Sequence, residues 1–184
     1  SSQTVVSKAN GVAVSCQPGW SAMPEQSSTM LYFQCGQHRE SHQDKAPGSL
    51  LIYKGGEFLL GPARAWNNWS QVGDGRAAPY HNALLLPPHH VSEPAWRGDS
   101  PEPLRRAQDS IRLVRGIAEG NHVYLEADLA GAYAFKGDWN ADPEKWVRHP
   151  LKKWVRRILW HRVHDLFLVI DEVEKEDWAA QPVI

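Results

Sequence analysis

The chain has 184 residues, 20 Lys and Arg against 21 Asp and Glu, a formal net charge of −1 and 42% hydrophobic residues. At about 150 residues per domain this is one domain, 1–184, long enough to bury roughly two-thirds of its unfolded surface. The balanced charge excludes a general nucleic-acid or polyanion binder, which needs clustered surplus Lys and Arg, and an aromatic content of 10% excludes a disordered chain.

No apolar run reaches the roughly 18–20 residues of a membrane helix, and Ser1–Asn10 lacks the basic start and apolar core of a signal peptide. Thr4-Val5-Val6 leads directly into Val12-Ala13-Val14, as in a chain that starts inside a longer one. Period-2 alternation and β-branched or aromatic runs then predict strands at Gly11–Cys16, Thr29–Cys35, Ser49–Lys54, Glu57–Leu60 and Ala83–Leu86. Further strands are predicted at Ile111–Ile117, His122–Ala130, Trp154–His161 and Asp165–Val173. Gly55-Gly56 and Glu119-Gly120-Asn121 read as hairpin turns. One short helix is predicted over Asp142–Val147, with Asp142 as cap and Pro143 in the first position.

Gly61–Tyr80 and Pro87–Pro103 resist strand assignment, and loops of that length are commonly functional. The Lys152–Arg157 run divides on a strand, Arg157 to one face and Arg156 to the other, which predicts a solvated face with one arginine in an internal pair. Glu172–Asp177 reads as a solvated acidic tail. Cys16 and Cys35, each at a strand, could pair or remain free and buried. The fold class is all-β: an antiparallel β-sandwich with long loops and at most one or two short helices.

The densest polar cluster, Gln37–Lys45, lies between two predicted strands, where a loop leaves a rigid sheet. From the residues alone, His42, Asp44 and His81 form a possible two-histidine, one-carboxylate set of the kind non-haem iron oxygenases use. Trp66 and Trp69 beside Asn67 and Asn68 suit stacking on sugar faces, and Arg64 is placed to meet a carboxylate. The bland alternatives are hydrogen-bonded loop residues and indoles that pin a loop onto the sandwich.

The run from Ser41 to Leu60, with His42, Gly48-Ser49, an apolar strand and Gly55-Gly56 before Leu59-Leu60, resembles the first β-domain motif of the heparinase II/III-like polysaccharide lyases. His81-Asn82 resembles that family's His-Asn-Thr element. Val155–Leu159 and Leu168–Asp171 resemble its later Arg-x-x-x-Phe and Val-Val-Asp strands.

The resemblance implies the C-terminal, supersandwich-like β-sandwich of a larger enzyme. An N-terminal α/α toroid, which no part of this chain resembles, would supply an Asn and a Tyr to the site. It implies β-elimination on uronic-acid glycans, for which the sugar carboxylate must be neutralised, a base must take the C5 proton and an acid must protonate the departing O4. His42 takes the catalytic histidine's place, and Trp66, Trp69 and Arg64 would contact an acidic polysaccharide. A periplasmic or secreted location is implied with it.

The family's metal positions are altered. Its second histidine falls on Asp44, its motif aspartate on Ala46, and the aspartate after the Leu-Leu strand on Gly61, while His81 is retained. Asp44 and His81 therefore make at most a weakened zinc site. These departures also support a second reading, a catalytically inactive carbohydrate-binding or scaffolding sandwich.

Overall fold

The computed structural model describes residues 3–8, 11–17, 19, 28–36, 47–61, 82–84, 110–133, 135–136 and 147–177. Two antiparallel sheets face each other across one core. The first has strand order β1-β2-β3-β4-β5, from β1 (Gln3–Ser7), β2 (Val12–Gln17), β3 (Thr29–Gln34), β4 (Ser49–Lys54) and β5 (Glu57–Leu60). The second has order β11-β10-β7-β6, from β6 (Arg112–Glu119), β7 (His122–Asp128), β10 (Leu151–His161) and β11 (Leu166–Lys175). A small ribbon pairs β8 (Phe135–Lys136) with β9 (Val147–Arg148).

The alternation that predicts the strands also fills the core. Leu31, Phe33, Leu50 and Ile52 point inward from the first sheet, and Val123, Leu125, Ala127, Trp154, Ile158 and Trp160 from the second. Each such Val, Leu, Ile or Phe side chain stabilises the fold by roughly 1.5–3 kcal/mol relative to exposure. Tyr133 meets Trp154 edge to face at 5.3 Å. The sheets come close where β1 crosses β6, since a Cβ on Gly116 would lie 2.9 Å from Val6 Cγ1. At the opposite side Lys54 Nζ reaches Asp165 Oδ2 at 2.8 Å and ties the end of β4 to the β10–β11 turn.

Strands β4 and β5 occupy the predicted spans, joined by Gly55 and Gly56, whose φ values of +60° and +97° only glycine adopts without strain. Three expectations are corrected and one strand, Gln3–Ser7, is added to those predicted. Ala83 and Leu84 are buried but not in a strand; the hydrogen bonds around them come from the Asn82 side chain and from Tyr133 Oη, which donates to the Leu84 carbonyl. The seventh strand stops at Asp128, whose carboxylate accepts the Ala130 N–H at 3.4 Å as the chain enters a 3₁₀ turn, Ala130–Tyr133. Glu172–Lys175 belongs to β11 rather than to a tail, because its carboxylates meet Lys152, Lys153 and Arg157 across the strand pair.

Val147, the last residue of the predicted helix, is in β9, and the rest of that segment lies outside the described residues. The ladder also decides the cysteine question. Cys16 stands opposite Met30, five residues before Cys35, so about 17 Å of strand separates the two, beyond disulfide reach. Both are free and buried, and burial pushes the Cys35 thiol up to about 12.

Candidate functional site

Every residue singled out from sequence for catalysis, substrate or metal, namely His42, Asp44, Arg64, Trp66, Trp69 and His81, lies outside the described residues. What the structure describes is the frame at their borders. Three segments far apart in sequence meet there: Gly48-Ser49 at the head of β4, Asn82, and the β10–β11 pair at Arg156 and Asp171.

Arg156 is the hub. It stands directly opposite Asp171 in the ladder, and both face inward. Its Nε and Nη2 donate to the two oxygens of the Asp171 carboxylate at 2.8 Å each, the two-pronged geometry in which a guanidinium binds carboxylate most strongly. Its Nη1 donates to the carbonyls of Gly48 at 2.7 Å and Asn82 at 2.6 Å. Trp154 Nε1 adds a bond to Asp171 Oδ1 at 2.8 Å. The Arg156 side chain is 3% exposed and that of Asp171 10%, so neither charge is tolerable without the other.

Asn82 completes the frame. Its side-chain oxygen accepts the Leu50 N–H at 2.7 Å and its amide nitrogen donates to the Leu50 carbonyl at 2.6 Å. A carboxamide offers a donor and an acceptor side by side on one side chain. It continues the hydrogen bonding of β4 past the point where β5, last paired at Ile52 with Leu60, has ended. Gly48 is required by its surroundings: φ is +80°, and a Cβ there would sit 2.6 Å from Leu129 Cδ1. Its N–H bonds the Gln34 carbonyl at 2.7 Å, closing the mouth of the connection that carries His42 and Asp44 in sequence. Asn82 is the immediate chain neighbour of His81.

A cleft of about 430 Å³ lies against this frame, lined by Leu50, Leu60, Asn82, Arg156, Val169 and Asp171. Four of the five N–H groups of Arg156 are already committed within the protein. It acts as a clamp rather than as a free cation for an incoming carboxylate. The division of the basic run holds: Arg156 is internal, while Arg157 lies on the outer face with Glu126 at 3.3 Å and Glu172 at 3.1 Å.

From sequence, Arg156 is the candidate for the internal pair, Gly48, Asn82 and Asp171 are only parts of motifs, and Trp154 carries no mark of its place in the frame. The usable signal for Arg156 was its position among inward-facing residues of an apolar strand. Among the described residues no helix is long and apolar enough to cross a membrane.

No protein-family model and no curated protein matches the chain by sequence. Solved structures do match in fold. The heparinase III BT4657 gene product with methylated lysines aligns over 94% of this chain at a TM-score of 0.61 and 14% identity. A second structure of that product gives 0.58, and a further heparinase III structure 0.59, both again at 14% identity. The chain spans 22% of each of those proteins, about a fifth of their length. At that identity the likeness establishes a shared β-sandwich fold.

Proposed function

We propose that the chain is the β-sandwich part of a polysaccharide lyase that cleaves uronic-acid-containing glycans by β-elimination. One observation carries the reading. Motif elements separated by 74 and 108 residues, read from sequence as the marks of one lyase family, meet at a single buried arginine. The folds that match belong to proteins named heparinase III, and they extend well beyond the length of this chain.

In this reading the C5–H bond breaks to a base and the C4–O4 bond breaks as the C4=C5 double bond forms. The departing O4 then takes a proton. His42 supplies proton transfer or carboxylate neutralisation, Trp66, Trp69 and Arg64 hold the acidic sugar chain, and a toroid domain completes the cleft. Asp44 and His81 hold at most a weak divalent ion. The protein works in the periplasm or outside the cell, where polymeric glycans are met.

The test uses the full-length gene product on a panel of acidic polysaccharides, followed by ultraviolet absorption of the unsaturated uronate that elimination creates and hydrolysis does not. We expect absorbance to rise on at least one glycan, and His42→Ala to slow it by about 10²–10⁴-fold. A rate unchanged in His42→Ala would remove that residue from the chemistry. The replacement of two family aspartates by Ala46 and Gly61 favours one alternative, an inactive carbohydrate-binding sandwich. Glycan binding without absorbance, abolished by Trp66→Ala with Trp69→Ala and indifferent to His42→Ala, would establish it instead.

A further inference from the structure

Outside this frame, the outer face of the second sheet carries a row of imidazoles. Because Val123 and Trp160 point into the core, His122 on β7 and His161 on β10 point outward, and they stand directly opposite each other. Their rings meet edge to face with centroids 4.7 Å apart. His164, in the turn that follows, stacks on His161 at 4.7 Å. Glu119 stands opposite His122 on the other side, so the row reads Glu119, His122, His161 across three strands. His122 and His164 are exposed, and His161 is half-buried with an Nδ1 that has no hydrogen-bond partner among the described residues.

We infer that this row is an exchangeable binding site for a divalent transition-metal ion of the imidazole-preferring kind, zinc, nickel or copper. The spacing carries the argument. With a metal–nitrogen bond of about 2.0–2.1 Å, each ring centroid lies about 3.2 Å from the ion. Two ligating rings then have centroids about 4.5 Å apart at a right angle and about 5.2 Å at the tetrahedral angle. The separation of His122 and His161, 4.7 Å, falls in that interval. The 78° interplanar angle of His122 and His161 suits two rings converging on one ion.

As the rings stand, no three His, Cys, Asp or Glu side chains among the described residues converge on one point. The stacked His164, at 13° to His161, must turn. It is exposed and in a turn, and its rotation breaks no described hydrogen bond. Glu119 supplies a carboxylate on the same face. The site is independent of the lyase reading: His161 lies five residues beyond Arg156 on β10, about 17 Å along the strand, and on the opposite face.

The test titrates zinc into the metal-free protein at neutral pH while the imidazole resonances are followed by NMR. We expect the His122, His161 and His164 signals to shift together and saturate at about one equivalent. His122→Ala and His164→Ala, both at exposed positions, should each weaken binding at least about tenfold, the smaller effect of removing even a supporting group around a metal. His81→Ala and Asp44→Ala should leave it unchanged. Absence of any shift, or a titration that survives His122→Ala with His161→Ala, or one abolished by His81→Ala, would overturn the inference.

Discussion

The tenth and eleventh strands carry two sets of ion pairs on opposite faces, and the contrast separates what a charge does inside a sandwich from what it does outside. Inward, Arg156 and Asp171 form one pair with side chains 3% and 10% exposed, bonded further to two backbone carbonyls and an indole. Outward, Lys152, Lys153 and Arg157 face Glu126, Glu172, Glu174 and Glu176 in a ladder whose side chains are 23% to 62% exposed. The residue types are nearly the same. Burial decides that the first set is structural and that the second contributes little, since water already solvates its charges.

The largest expected effect tests the inner pair. Asp171→Ala leaves a buried guanidinium without its counter-ion and the Trp154 N–H without an acceptor, and should destabilise the fold by about 3–5 kcal/mol in denaturant titration. Replacing both Arg156 and Asp171 by apolar residues sharpens the comparison. A bare ion pair exchanged this way is often neutral. Here the carbonyls of Gly48 and Asn82 lose their shared donor, so the double variant should still be destabilised, by about 1–3 kcal/mol for each carbonyl left unsatisfied. Wild-type stability in the double variant would mean that the clamp is only an ion pair.

Gly48→Ala probes the same frame through its backbone. The added methyl meets Leu129 and Trp154 while φ stays at +80°, and a loss of at least about 1–3 kcal/mol is expected from the conformational strain alone. Equal thermal midpoints for Gly48→Ala and wild type would show that the head of β4 can move away from the second sheet. The clamp would then not position what precedes it.

How much of this was legible depended on how local the cause was. The spans of β4 and β5 followed from alternation and two adjacent glycines, all within a dozen residues. The inward face of Arg156 followed from Trp154 and Ile158 on either side of it. Its acceptors did not, since Gly48 and Asn82 are 108 and 74 residues away and offer only backbone oxygen, which no side-chain pattern marks. Ala83-Leu84 misled for the related reason that an apolar run records burial and not hydrogen bonding; here an Asn amide and a Tyr hydroxyl replace a strand partner. The acidic stretch from Glu172 misled because its partners, Lys152, Lys153 and Arg157, were read separately from it. His42 and His81 were legible as residue types, while the frame at their borders required the fold.

The smallest expected effect lies on the outer face and completes the contrast. Hydrogen bonds from Lys153 and then from Arg157 hold the Glu172 carboxyl below its ordinary range. A carboxyl held low in the folded state contributes stability that is fully present above the unfolded-state value and is lost as pH falls through the folded-state value. The contribution should therefore be present at neutral pH and vanish on acidification below the normal glutamate range. Because the group is solvent-exposed, Glu172→Gln should cost a small fraction of the Asp171→Ala effect at neutral pH, and less again in high salt, which screens exposed pairs far more than buried ones. Equal losses from the two variants, or a Glu172→Gln effect insensitive to salt, would mean that the outer ladder is shielded from water by a covering surface and that the contrast between the two faces does not hold in the intact protein.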